Sequence, residues 1–161
     1  MTEPFCREVR ITTTDVSPKG EILAIGSILI ADDDATSRES VSALLRRAGY
    51  NPTEAASGEE ALQAALDEPP VLVILEVELP GMSGYDVCRA LRDAFGETLP
   101  ILLVSGRRTD PLDRVAGLLI GADDCLVKPL GAMDLLARIR RALTRANGCA
   151  GTRIRSPRPA D

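Results

Sequence analysis

From residue 27 onward, short apolar runs alternate with amphipathic stretches. "SILIADDD" predicts a strand that ends in acids, and Val41, Leu44, Leu45 and Ala48 recur at helical spacing until Gly49 closes the helix. "NPTEAAS" predicts a weaker strand, which Pro52 confines to an edge position. Ser57-Gly58-Glu59-Glu60 then reads as a capping box opening a helix that runs through Leu66 and stops at "EPP". The run Val71 to Leu75 has no polar alternation, which suits a strand covered on both faces, and Val87, Leu91 and Phe95 mark the helix after it. "LPILLVSG" repeats the strand signal, a helix follows from Asp110 to about Leu119, and a short strand falls around "DCLVKP". In the last helix Leu135, Leu136, Ile139 and Leu143 share a face.

Strand and helix therefore alternate through five units. With right-handed crossovers this predicts an α/β fold, a doubly wound (βα)5 parallel sheet of the flavodoxin-like kind with strand order 2-1-3-4-5. The expected domain spans residues 27–144. Residues 1–26 have no clear period and read as a partly disordered extension, and residues 145–161 read as a basic Gly/Pro/Arg-rich tail or linker.

Composition narrows the function classes. The chain has 161 residues, enough for one domain with a proper core, and its net charge of −5 argues against a general nucleic-acid binder. From Leu135 to Ala160 there are seven arginines and no acid, which reads as a solvated helix face running into a basic tail rather than a strong nucleic-acid site. The apolar stretch Ile22 to Ile30 is broken by Gly26 and Ser27 and ends in acids, and Glu3, Glu8, Asp15 and Glu21 lie where a signal peptide needs a basic start, so a cytoplasmic protein without a membrane span is expected. There is no histidine, and Cys6, Cys88, Cys125 and Cys149 are widely spaced. Zinc sites of the usual kind, Ser-His-Asp chemistry and a phosphohistidine role are thereby removed, and no independent enzyme is expected.

The chemistry concentrates at the strand ends. The residues that follow the apolar runs are Asp32 and Asp33 after the first strand, Glu76 after the third, Ser105 after the fourth and Lys128 after the fifth, and the predicted sheet delivers them to one edge. Carboxylates within about 4 Å of each other repel by roughly 4 kcal/mol per pair at an effective dielectric of 20, so such a cluster needs a cation. A hard divalent ion such as Mg²⁺ takes carboxylates and a phosphate oxygen, while a Lys and a Ser hydroxyl hold further phosphate oxygens. Taken singly, Asp32, Asp33 and Asp34 could be helix-start acids, with Thr36 and Glu39 as a capping box; their register with Ser105 and Lys128 favours a pocket.

"ILIADDD", "LPGMSG", "LLVSG" and "GADDCLVKP", in this order and spacing, resemble the receiver domain of bacterial two-component response regulators over residues 27–144. The resemblance implies a switch in which a sensor histidine kinase, or a small phosphodonor, transfers a phosphoryl group to an Asp at the end of the third strand. By position it implies that Asp32 and Asp33 are the acidic pair, that Glu78 offers a backbone carbonyl to magnesium, and that Ser105 and Lys128 contact the phosphoryl group. The acceptor position falls on Glu76, and the switch position, where receivers usually carry Tyr or Phe, falls on Cys125.

Glu is longer than Asp by one methylene, which moves its nucleophilic oxygen on the order of 1 Å, and misplacement of that size costs about 10²-fold in rate. It also carries charge toward Lys128, a partial imitation of the phosphorylated state, since a carboxylate has about one charge and a phosphoryl group nearer two. Cys125 is by default a small buried hydrophobe and cannot swing as a ring does. An atypical receiver is therefore expected, not phosphorylated in the ordinary way, with weakened Mg²⁺ binding and acting through protein interaction. The alternatives are a phosphorylation-competent receiver and the receiver part of a truncated DNA-binding regulator. Leu118, Leu119 and Ile120 exceed what one buried stripe needs, so either core packing or an interface, including a homodimer through the fourth helix, fifth strand and fifth helix, is expected there.

Overall fold

The computed structural model describes residues 26–106 and 111–151. The expected N-terminal extension, apart from Gly26, and the tail beyond Gly151 lie outside the described residues, as does Asp110. Five strands, β1 (Ser27–Ala31), β2 (Asn51–Ala55), β3 (Leu72–Glu76), β4 (Ile101–Ser105) and β5 (Asp124–Val127), alternate with α1 (Ala35–Arg47), α2 (Gly58–Asp67), α3 (Gly84–Phe95), α4 (Pro111–Ile120) and α5 (Ala132–Gly151). The sheet order is β2-β1-β3-β4-β5 and every pairing is parallel, as the strand-helix alternation predicts. Helix α5 continues to Gly151, past the expected boundary at 144, because Ala142, Thr144, Ala146 and their neighbours keep helix-compatible residues in register with no proline to stop them.

Burial explains the strand sequences. β1, β3 and β4 are buried along their whole length, whereas β2 alone is largely open and holds the edge that Pro52 requires. Side chains alternate across the sheet with a period of two. Leu29, Ala31, Val73, Leu75, Ile101, Leu103 and Cys125 pack with α2 and α3, and Ile28, Ile30, Leu72, Ile74, Leu102, Val104 and Leu126 pack with Val41 and Leu45 of α1 and Leu135 and Ile139 of α5.

The helix starts refine the sequence reading. Asp34, rather than Thr36, caps α1, its side chain accepting from Thr36 N–H at 3.0 Å. Ser57 caps α2 through Glu60 N–H at 3.2 Å, but Glu60 reaches back to Ala56 N–H at 2.9 Å, one residue earlier than a reciprocal capping box requires. The reciprocal box belongs to α3, between Ser83 and Asp86. Among the described residues no helix is long and apolar enough to cross a membrane.

Candidate functional site at the carboxyl ends of the strands

The period of two decides which strand-end side chains meet. Asp32, Glu76 and Lys128 continue the alternation of Ile30, Ile74 and Leu126 and so emerge over the α1 and α5 side of the sheet, while Ser105 continues that of Leu103 and Cys125 on the other side. The ammonium of Lys128 lies 2.8 Å from Asp32 Oδ2 and 2.9 Å from Glu76 Oε2, bridging two acids that are each only 6% exposed. The remaining carboxylate oxygens are held by backbone: Asp34 N–H donates to Asp32 Oδ1 at 2.9 Å, and Glu78 N–H to Glu76 Oε1 at 3.4 Å.

Burial pulls the Lys128 ammonium toward the neutral form, but its hydrogen bonds to Asp32 and Glu76 and the charges of both acids outweigh it, so its pKa rises above the usual 10.5. Lys128 reaches this place because its own N–H donates to the Ser105 carbonyl at 2.9 Å, which prolongs the β4–β5 ladder by one residue; a cis peptide bond to Pro129 follows.

The loop behind Glu76 is fitted by two glycines. A Cβ on Gly84 would lie 2.2 Å from the Glu76 carbonyl oxygen, so only glycine lets α3 start this close to the end of β3. Gly81 has φ +72°, and beside it Glu59 of α2 accepts from Met82 N–H at 3.1 Å, pinning the turn. Sequence reasoning missed Glu59, because nothing in its local pattern marks a contact 23 residues away.

Of the other sequence-predicted residues, Asp33 is exposed next to buried Asp32, Glu78 is half-buried with its N–H turned to Glu76, and Ser105 is buried at the end of β4. Among the described residues no three acidic or thiol side chains gather as a metal-binding group. The groups that would hold a divalent ion are the carboxylates of Asp32, Asp33 and Glu76 with the Glu78 carbonyl, and in this arrangement the Lys128 ammonium stands between the two buried acids and balances their charge.

Cys125 is a buried cysteine under α4. A Cβ added to Gly117 would lie 2.8 Å from its Sγ, 3.0 Å from Leu103 Cδ1 and 3.8 Å from Tyr85 Cε1. The pair Gly117 and Cys125 thus brings α4 down onto β5, and the aromatic neighbour of this contact is Tyr85 from the first turn of α3 rather than a ring on β5.

This arrangement has many relatives. The sequence model of the response regulator receiver domain matches residues 28–140. The DNA-binding response regulator MtrA of Mycobacterium tuberculosis is 42% identical over 118 residues, covering 73% of this chain and 50% of that protein. The transcriptional regulatory protein AfsQ1 of Streptomyces coelicolor is 42% identical over 119 residues, covering 74% of this chain and 52% of AfsQ1. The chain thus spans about half the length of these curated relatives. Among solved structures, a response regulator from Chloroflexus aurantiacus superposes with a TM-score of 0.71 at 40% identity, covering 75% of this chain and 99% of that one. The chemotaxis protein CheY4 of Vibrio cholerae does so with a TM-score of 0.68 at 33% identity, covering 74% and 99%. By its sequence match, its strand order and the convergence of Asp32, Glu76 and Lys128, the chain belongs to the response regulator receiver domains of two-component signalling.

Proposed function

We propose that this receiver is atypical: Glu76 occupies the phospho-acceptor position, is not phosphorylated in the ordinary way, and supplies through Lys128 part of the charge that a phosphoryl group would bring. The observation that carries this reading is the 2.9 Å contact between Glu76 Oε2 and Lys128 Nζ, shared with Asp32. The longer side chain spends its extra reach on the lysine, so the oxygen that would attack a phosphodonor is already committed. Asp33, Glu78, Ser105 and Cys125 keep the receiver positions of second acid, carbonyl donor, phosphoryl contact and switch. Magnesium binds weakly in this reading, because the lysine already balances the two buried acids.

The domain then acts as a cytoplasmic protein-interaction module, read by a sensor histidine kinase or another signalling protein. Support for an interaction surface comes from the face of α4, β5 and α5, where Val115, Leu118, Leu119, Val127 and Met133 are exposed, Leu119 at 82%. Arg138 of α5 pairs there with Asp124 and Asp134, giving the apolar patch the charged rim that a homodimer contact uses. A second reading, the receiver half of a DNA-binding regulator, is favoured by the names of the full-length relatives and by the half coverage of their length.

The test is phosphoryl labelling with a small acyl phosphodonor and Mg²⁺, read by intact mass. The wild type is expected to stay unlabelled and Glu76→Asp to gain a single labile adduct. A strong wild-type adduct that Glu76→Gln abolishes would instead establish a phosphorylation-competent receiver.

A further inference from the structure

Asp32 and Asp33 are adjacent, chemically identical acids, yet one is 6% exposed and the other points to solvent. The strand alternation alone does not settle this, since both residues lie beyond the end of β1. Every polar atom of Asp32 is engaged: its N–H donates to the Ala55 carbonyl at 3.1 Å, its carboxylate oxygens accept from Asp34 N–H and Lys128 Nζ, and its carbonyl accepts from Arg38 Nη1 at 2.8 Å. The last of these bonds is made by a side chain that receiver chemistry does not invoke.

Because the peptide unit is planar, holding the Asp32 carbonyl fixes the orientation of the whole Asp32–Asp33 peptide. Rotating the backbone at Asp32 so that its side chain leaves the pocket moves this carbonyl, breaks the Arg38 bond and leaves the half-buried guanidinium with Glu54 alone. Arg38 is itself held. Its Nε lies 3.5 Å from Glu54 Oε2 on the edge strand β2, and the other oxygen of Glu54 accepts a short hydrogen bond from Ser42, whose side chain is fully buried. Arg38 and Ser42 stand four apart on one face of α1, and β2 is in register so that Glu54 faces Ile30, two residues before Asp32. A relay therefore runs from the edge of the sheet through Ser42, Glu54 and Arg38 to the backbone of the acidic pocket.

We propose that Arg38 is a positioning residue: through the Asp32 carbonyl it selects Asp32, and not Asp33, as the acid that shares Lys128 with Glu76. This rests on the reading of Asp32, Lys128 and Glu76 as the signalling site and deepens it, since it places control of that site on the outer strand and first helix.

The experiment uses the full chain, isotopically labelled for NMR, with variants Arg38→Ala, Arg38→Lys, Glu54→Gln and, as a control on the site itself, Glu76→Gln. Two readouts are followed: amide exchange at Asp34, whose N–H is held by Asp32 Oδ1, and the titration midpoint of the Lys128 side chain. Arg38→Ala is expected to speed Asp34 exchange about tenfold, the loss of one charge-assisted hydrogen bond, with sheet amides such as Leu29 and Val73 unchanged, and to lower the Lys128 midpoint. Arg38→Lys, which keeps one donor and the charge, restores most of both, and Glu54→Gln falls between. If Arg38→Ala leaves both readouts alone while Glu76→Gln moves Lys128, the role of Arg38 is overturned and the site stands. If Arg38→Ala speeds Leu29 and Val73 as much as Asp34, Arg38 is a general stabiliser and the proposal fails as well. If Glu76→Gln leaves the Lys128 midpoint unmoved, it is the site reading that falls.

Discussion

Replacing Lys128 by Met keeps the unbranched stem of the side chain and removes the ammonium that Asp32 and Glu76 share. Their oxygens sit 2.8 and 2.9 Å from one nitrogen and therefore within about 6 Å of each other, where two negative charges repel by about 3 kcal/mol at an effective dielectric of 20. Breaking a buried pair by removing one partner costs about 3–5 kcal/mol, and since the lysine side chain is itself 25% exposed the low end applies. With a urea dependence of about 2 kcal/mol per molar, the unfolding midpoint at pH 7 should fall by about 1.5 M. Lys128→Met with Glu76→Gln removes the like-charge contact and should recover about 2 kcal/mol of the loss. A loss below about 1 kcal/mol, or a double variant no better than Lys128→Met, would refute the shared-ammonium description.

Other perturbations bear on separate parts of the structure. Cys125→Tyr must push α4 away from β5, since even a methyl on Gly117 would meet Sγ at 2.8 Å; a loss of about 1–3 kcal/mol is expected by thermal unfolding, and an unchanged Tm would show that the space is open. Arg92 of α3 donates to the carbonyls of Gly121, Gly96 and Leu99 and pairs with Asp123, so Arg92→Ala should cost about 2–4 kcal/mol in urea unfolding and Arg92→Lys, lacking the fork, should recover only part. Because the Lys128 pKa is raised on folding, the unfolded chain releases that proton first as pH climbs; the stability the pair contributes is whole below 10.5 and is lost through the higher folded value. Urea midpoints between pH 9 and about pH 12 should therefore fall more steeply for wild type than for Lys128→Met, and parallel curves would contradict the raised value.

The fold was legible because its information is local and repeated. Fully apolar runs such as Val71 to Leu75 announce strands covered on both sides, and Pro52 announces an edge strand that is not. The meeting of Asp32, Glu76 and Lys128 was legible as a register, since in a parallel sheet the residue after each run emerges at the same edge, but the period of two turns Ser105 to the other face and Asp33 lies exposed. What the pattern did not contain is which neighbour each group chooses. The separation of Asp32 from Asp33 involves Arg38, the seating of the turn at Gly81 involves Glu59, and the contact over Cys125 involves Gly117 and Tyr85; Glu59 and Tyr85 are remote in sequence, and Arg38 and Gly117, though only six and eight residues away, sit on helices whose facing the strand pattern does not give. Helix α5 runs to Gly151, into the stretch from 145 that the sequence reads as a tail, because a glycine costs a helix only about 1 kcal/mol and no proline intervenes.

The central claim is that the acceptor position is already engaged, so that a phosphodonor has nothing to change. The most direct measurement is the amide NMR spectrum of wild type and Glu76→Asp before and after adding a small acyl phosphodonor with Mg²⁺. The wild-type spectrum should stay as it was, while Glu76→Asp should show new positions for Ser105, Lys128 and the residues of β5. Donor-dependent shifts of those same amides in the wild type would contradict the account.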